Sequence, residues 1–378
     1  MKRWLRIFLI LACVGLSACS NAGGDLVLFI DGKESMVTKV DYTEIEEKVN
    51  VDDDEDFSLL LEYLFYKMGV KAVDEVTLIT EESAQTFSWD EIADSTYWRN
   101  TRQIEIHGEE YIVDQVAVTT EGFEEDVEHS ITDIAPLTAE ALGIPFGERE
   151  SGFDIQAGSY EHVVWLFLDG FGYEGFQAAK SEGLIPYLGS LGEIFPSYTI
   201  YPPRTSTSTA ALLSGLDSQQ NGVWATGIRN LGVPSIVDAL IEVGRGVTIV
   251  EGSSTPFNYP NAVVVLSGDR NGDGSTDDNV LMNAKETIAN GVDELLMIHF
   301  HGIDDAGHTY GPYSPQWNAK IPEIDSSVEQ LIELLPAKTL VIIFPDHGMH
   351  SVENDTSLGN HGNLIFEDMG TYIILYQK

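Results

Sequence analysis

His162-Val-Val-Trp-Leu-Phe-Leu-Asp169-Gly170 decides how this chain folds. The run Val163 to Leu168 is apolar throughout, without polar alternation, as in a strand buried on both faces. An acid and a glycine close it. The same form returns at Val247–Val250, Val263–Leu266, Leu295–Phe300, Leu340–Phe344 and Tyr372–Tyr376. Stretches with apolar residues at helical spacing lie between: Thr207–Leu213, Ser235–Val243, Val280–Ala289 and Pro322–Leu334. Alternation of this kind predicts an α/β domain over 161–378, a mostly parallel sheet with helices on both faces. Sites in such sheets lie beyond the carboxyl ends of the strands. Asp169, Asp304 and Asp346 each come just after a predicted strand.

Around these acids stand short motifs in a fixed order. Thr205 opens a hydroxyl-rich stretch, Thr205-Ser-Thr-Ser-Thr-Ala-Ala-Leu-Leu-Ser-Gly215. Asp304 and His308 lie in Asp304-Asp-Ala-Gly-His-Thr-Tyr-Gly-Pro312. Asp346-His347-Gly-Met349 follows a strand, and His361 sits in Gly359-Asn-His-Gly362. Singly, each is an ordinary turn or helix cap. Together they are carboxylates and imidazoles suited to zinc-like divalent metals, beside a hydroxyl nucleophile.

The ordered set, from about residue 160 to 370, resembles the alkaline phosphatase superfamily, in its type I phosphodiesterase / nucleotide pyrophosphatase branch. The resemblance implies an alkaline-phosphatase-like fold. It implies one metal held by Asp169, Thr205, Asp346 and His347, and a second held by Asp304, His308 and His361. It makes Thr205 the nucleophile, with Ser206 as the alternative hydroxyl. Two metals can clamp the attacking and leaving oxygens of an in-line displacement. A helix beginning next to Thr205 adds positive potential. The implied course runs through a phosphothreonine that water then hydrolyses. The branch often has an Asn some twenty residues after the nucleophile; here the position is Thr226. Ser206, Thr207 and Ser208 replace the usual residues after the nucleophile. Thr226 and the backbone N–H of Ser206 are the candidate phosphoryl donors. His299, His301 and His350 read as supporting or core residues.

The expected activity is hydrolysis of phosphate diesters or nucleotide pyrophosphates, with a small phosphate ester or nucleotide as substrate. Phosphomonoesterase and phosphonate hydrolase are the alternatives within the superfamily. A sulfatase is disfavoured because the Cys/Ser-x-Pro-x-Arg maturation site is absent, and a phosphoethanolamine transferase because no transmembrane bundle precedes the domain. A non-catalytic surface lipoprotein that binds a partner is the alternative of another class; it predicts a lost ligand, and the set has none missing.

Lys2, Arg3 and Arg6 precede the short apolar run Ile7–Leu16, too short to serve as a stable membrane anchor. Leu16-Ser-Ala-Cys19 follows and resembles a bacterial lipobox. Residues 1–21 are therefore expected to be a lipoprotein signal and anchor region. Lipid on Cys19 would tether an exported protein to a membrane face. The other cysteine, Cys13, would leave with the signal, so no disulfide is expected.

With 20 Lys+Arg against 61 Asp+Glu the net charge is −41, which excludes a nucleic-acid-binding role. Residues 25–118 read as an acidic α+β accessory domain. Its expected strands are Leu26–Ile30, Val76–Ile79 and Tyr111–Val118, with helical spacing over Phe57–Met68. Residues 119–160 read as a linker with a short helix near Leu137–Leu142. Asp269, Asn271, Asp273 and Asp277 form a candidate calcium loop. Val280 replaces the closing Glu of an EF-hand, so an Asx-rich turn capping the next helix is the competing reading. Oligomeric state is not encoded in any of these features.

Overall fold

The computed structural model describes residues 26–37, 58–81, 83–93, 95–98, 101–272, 274–352 and 357–378. The expected signal 1–21 and Cys19 lie outside them. The chain divides into two compact units, residues 1–122 with 363–366, and residues 123–362 with 367–378.

The smaller unit is mixed. One five-stranded sheet has the spatial order Lys33–Val37, Leu26–Ile30, Gln115–Thr120, Val73–Ile79, Ala84–Ser88. A four-stranded sheet orders Ser58–Leu60, Thr96–Trp98, Gln103–Ile106, Glu109–Ile112. The helix Leu61–Lys67 buries Leu61, Leu64 and Phe65. The single strand expected over Tyr111–Val118 is in fact two. The break has a hydrogen-bonding cause: Val113 N–H donates to Arg102 O, while Asp114 N–H donates to Ile79 O, so the chain crosses from one sheet to the other there.

The larger unit is built on a seven-stranded sheet. Its strands in chain order are β1 His162–Leu168, β2 Ile194–Tyr198, β3 Val247–Glu251, β4 Val263–Leu266, β5 Leu295–Phe300, β6 Thr339–Phe344 and β7 Gly370–Gln377. The spatial order is β2-β7-β6-β1-β5-β3-β4. β6, β1, β5, β3 and β4 are parallel neighbours, as expected. β7 runs antiparallel to both β6 and β2, so the last predicted strand belongs to the sheet with reversed direction. β4 was expected to be buried; as an edge strand it leaves Val263 and Leu266 more than half exposed.

Alternation along β1 splits the core in two. Val163, Trp165 and Phe167 pack on one face with helices α1 (Ile134–Leu142), α3 (Thr205–Ser214) and α4 (Ile236–Glu242). Val164, Leu166 and Leu168 pack on the other with α2 (Tyr173–Glu182), α5 (Asp277–Asn290), α6 (Gly302–Tyr310) and α7 (Pro315–Leu334). The fold is thus the α/β architecture that the β1 run announced.

The stretch expected to be a linker is not an exposed connector. Ile131, Ile134, Leu137, Leu142 and Phe153 are core residues, and Thr138 accepts a 2.9 Å hydrogen bond from the Trp165 indole. Most of the acidic residues that suggested a linker lie on the solvent side of a segment whose apolar side faces β1; Asp133 is buried and pairs with Arg149.

Candidate active site

The carboxyl ends of β6, β1, β5 and β3 lie side by side, and the acids follow them in order: Asp346, Asp169, Asp304 and Glu251. Asp304 and His308 are one turn apart on α6, so both side chains face the same way. Thr205 is the first residue of α3, with Arg204 at the cap position; the sequence placed the helix start one residue later. His361 follows a two-residue pairing of His350–Ser351 with Gly359–Asn360.

All seven predicted residues meet. His347 Nε2 lies 3.2 Å from Asp346 Oδ2, 3.5 Å from Asp169 Oδ1 and 3.4 Å from Thr205 Oγ1. His308 Nε2 lies 3.3 Å from Asp304 Oδ2 and 3.2 Å from His361 Nε2. His361 Nε2 is 3.7 Å from Asp304 Oδ1, and its ring stacks on His347 at 3.7 Å. Among the seven, two groupings able to hold a cation result, Asp169/Asp346/His347 and Asp304/His308/His361; Asp169 forms a third with His299 and His301.

Each of the three imidazoles is oriented by its outer nitrogen. Nδ1–H donates to a backbone carbonyl in every case: His347 to Gly348, His308 to Gly359 and His361 to Pro203, each at 2.9 Å. The inner Nε2 atoms of His347 and His361 therefore present lone pairs to the site, and that of His308 does so once its proton is displaced. Asp169 Oδ1, Asp304 Oδ1 and Asp346 Oδ2 are buried and lack any hydrogen-bond partner. Buried carboxylate oxygens and imidazole lone pairs facing one another repel unless a cation lies among them. The donor set fits divalent metals.

Electrostatics point the same way. Burial, then the nearby charges of Asp169 and Asp304, pushes Asp346 well above the usual carboxylate range. Burial holds His347 down at about 4 and His361 at about 3, so both rings are neutral near pH 7. His308 goes the other way, up to about 9, through its hydrogen bond to Asp304.

A support network lies behind Asp169. Its Oδ2 is 3.1 Å from both His299 Nε2 and His301 Nδ1. The outer nitrogens of the same rings reach Glu251, His299 Nδ1 at 3.1 Å and His301 Nε2 at 2.5 Å. Burial opposes ionisation, yet the two rings bring Glu251 down to about 2 and leave Asp169 below its ordinary value. Sequence reading placed His299 and His301 in a supporting role and missed Glu251. The signal was available: Glu251 ends an apolar strand run as Asp169 does. Asp368, also missed, is buried, pairs with His350 Nδ1 at 2.8 Å and accepts the Gly362 N–H beside His361.

Close backbone packing sets the strand-end turns. A Cβ on Gly348 would meet Glu367 O at 1.9 Å, and one on Gly172 would meet Gly348 Cα at 2.4 Å. The turns that carry Asp169 and Asp346 can touch only because both positions are glycine.

The expected phosphoryl donors Ser206 and Thr226 line one cavity with Thr205 and His361. The candidate calcium loop is not assembled by its described members. Asp269 accepts from Gly272 and Gly274 N–H, and Asp277 accepts from His301 and Gly302 N–H at 2.9 Å each. Their oxygens are committed to backbone donors, and Asp277 serves the active-site strand end instead; Asp273 lies outside the described residues.

Residues 244–376 match the family described as Type I phosphodiesterase / nucleotide pyrophosphatase. That segment contains Asp304, His308, Asp346, His347 and His361, while Asp169 and Thr205 precede it. The chain is also similar to the human GPI ethanolamine phosphate transferase 3 catalytic subunit, 24% identical over 263 residues, covering 62% of this chain and 23% of that protein. The corresponding transferase 3 of Schizosaccharomyces pombe is 33% identical over 85 residues, 22% of this chain and 9% of that one. The chain thus spans less than a quarter of the length of these relatives. Among solved structures, murine ectonucleotide pyrophosphatase / phosphodiesterase 5 aligns with a TM-score of 0.46 at 14% identity, covering 58% of this chain and 88% of that one. Phosphonoacetate hydrolase from Sinorhizobium meliloti 1021 aligns at 0.41 and 14%, covering 52% and 58%.

Proposed function

We propose that the chain is a metal-dependent hydrolase of phosphate diesters or pyrophosphates, with Thr205 as nucleophile. One observation carries this reading: the Thr205 hydroxyl, at the start of a helix, faces a ring of orphaned carboxylate oxygens and imidazole lone pairs. Asp169, Thr205, Asp346 and His347 would hold one divalent cation; Asp304, His308 and His361 would hold another. A mixed carboxylate–imidazole set without thiolate favours zinc. When bound, the cations supply positive charge that favours an ionised Thr205 and offsets phosphoryl charge.

The remaining work falls to the chain. Thr205 Oγ1 loses its proton and forms a bond to phosphorus as the bond to the departing oxygen breaks; that oxygen takes up a proton, and a phosphothreonine remains that still carries the substrate's other substituent. Water then attacks that phosphorus and restores the hydroxyl. The first turn of α3 directs N–H groups towards the developing charge, with Ser206 N–H and Thr226 as donors. Glu251, His299 and His301 hold Asp169 in place.

Similarity to GPI ethanolamine phosphate transferases favours a second reading, in which an alcohol replaces water as acceptor. This restores the branch that the sequence reading set aside. Both readings share the phosphothreonine. The distinguishing measurement is product partition: a bis-aryl phosphate, an aryl monophosphate, an aryl phosphonate and a dinucleotide incubated with and without alcohols. Free phosphate products that persist in alcohol support hydrolysis; predominant transfer supports the second reading. A monoester or phosphonate preference would shift the substrate class, and failure to turn over any of them while metals are bound would favour a non-catalytic lipoprotein.

We further propose that the protein is exported and lipidated on Cys19, on the strength of its basic, apolar and Leu-Ser-Ala-Cys segments. Cys19→Ala should release it from membranes. An unmodified thiol at that position in the native host would contradict the assignment.

A further inference from the structure

The cavity in front of Thr205 measures about 510 Å³. Its lining contains two arginines, Arg204 and Arg229, and no acid, in a chain with 20 basic residues against 61 acidic ones. Where acids outnumber bases threefold, a cavity lined by two arginines and no acid runs against the charge of the whole chain. Neither arginine makes an ion pair among the described residues. Both side chains are exposed to the cavity mouth.

The two are placed by the fold. Arg204 adjoins Thr205 in sequence, and its guanidinium rests beside Gly362. A Cβ on Gly362 would approach Arg204 Nε to 3.0 Å, so a glycine after His361 makes room for it. Arg229 stands in the Thr226–Arg229 loop. Its Nη1 donates to Thr255 O at 2.9 Å and its carbonyl accepts from Asn258 N–H at 3.0 Å. Those bonds tie its loop to the 255–258 segment and leave its other guanidinium N–H groups for a ligand. The lining includes no Phe, Tyr or Trp, so a nucleobase finds no aromatic platform there.

We propose that the substrate carries a second phosphate group, bound by Arg204 and Arg229, and that the site selects for this anion and not for a base. The guanidinium fork matches phosphate oxygens in pairs, which an ammonium or a neutral alkyl group cannot exploit. An ethanolamine head group, with its own cation, is disfavoured by the same two charges. This rests on the proposed chemistry at Thr205 only for the position of the first phosphate.

Equilibrium binding tests it without turnover. The full chain, metal-loaded and carrying Thr205→Ala, would be titrated with propane-1,3-diyl bisphosphate, propyl phosphate, 2-aminoethyl phosphate and AMP. The bisphosphate should bind about tenfold or more tighter than propyl phosphate, a margin of about 1.4 kcal/mol. Adding Arg204→Ala and Arg229→Ala together should erase that margin. Arg229→Glu should invert the order, so that 2-aminoethyl phosphate binds better than the bisphosphate; misfolding cannot produce such a gain. Equal binding of bisphosphate and propyl phosphate, or a margin that survives the double change, would overturn the proposal. So would an AMP affinity above that of the bisphosphate. If the margin is present but no ester is cleaved by the unaltered chain, the hydrolase reading falls and the second-phosphate subsite stands.

Discussion

His308 Nε2 and His361 Nε2 stand 3.2 Å apart, while the Nδ1 of each ring is turned outward to a backbone carbonyl. Two acceptors at that distance need a proton or a cation between them. The orphaned Asp304 Oδ1 beside them adds negative charge. We expect the purified protein to hold about two zinc-like ions per chain. Elemental analysis checks this, and chelation should abolish turnover. Activity that persists after thorough metal removal would eliminate the two-cation assignment.

Protonation should compete with that cation. In the metal-free chain His308 is raised to about 9, so it carries a proton at pH 7 that a metal must displace. Apparent metal affinity should therefore rise with pH up to about 9, with proton release measurable by calorimetry in buffers of differing ionisation enthalpy. Stability of the metal-free chain follows with defined signs. His308, raised, stabilises fully below its ordinary 6.5 and loses that contribution between 6.5 and about 9. His347 and His361, lowered to about 4 and about 3, make stability fall as pH drops below 6.5 towards those values. From these three groups, denaturant midpoints should peak near pH 6.5 without metal and show a weaker decline above 6.5 with it. A steady rise of metal-free stability from pH 6.5 to 9 would contradict the His308–Asp304 assignment.

Thr205→Ala should lower turnover on the order of 10³-fold or more, with metal content largely retained through the other six residues. Ser206→Ala should stay within about tenfold, since removing its hydroxyl leaves its backbone N–H in place. Quenched samples of the unaltered enzyme should contain phosphothreonine at residue 205. Near-normal activity of Thr205→Ala would remove it as nucleophile.

Glu251→Ala should weaken metal binding about 10- to 100-fold, although Glu251 is not one of the predicted ligands. The change leaves the buried His299 ring and the partly buried His301 ring without their outer partner and frees Asp169 to reorient. Glu251→Gln should retain more affinity, because its amide oxygen can still accept one of the two N–H bonds. Competition with a chromogenic chelator measures both; unchanged affinity in Glu251→Ala would mean that the His299–His301 pair does not position Asp169.

The central strands were legible because burial on both faces writes itself as an unbroken apolar run, as in Val163–Leu168. β2 was not, because Ile194–Tyr198 is an edge strand containing Pro196 and reads as irregular. α6 was hidden for a related reason: Gly302 and the Asp304-Asp305 pair are poor helix formers, and tertiary packing of Ile303 and Ala306 carries the helix. That the seven predicted residues would gather at one place was readable from spacing and order. Their orientation was not, since the carbonyls of Gly348, Gly359 and Pro203 that aim the imidazoles contribute nothing to side-chain pattern. Asp277 shows the reverse case. Its Asp-x-Asn-x-Asp-Gly neighbourhood suggests oxygen ligands for calcium, whereas its position as the first residue of α5 lets it grip the backbone at His301.

The adjacency of β6, β1 and β5 also has a consequence for biogenesis. Strands that touch in the sheet leave the ribosome far apart in time: Asp169 emerges well before Asp346, His347 and His361. Parallel pairing needs long crossovers, so these contacts are slow, non-local ones. A metal ion cannot act as an early template here, because no short segment of the chain contains either proposed ligand group whole. Chains that lack β6 and β7 should not capture the metal, and metal uptake should report that these strands have joined the sheet.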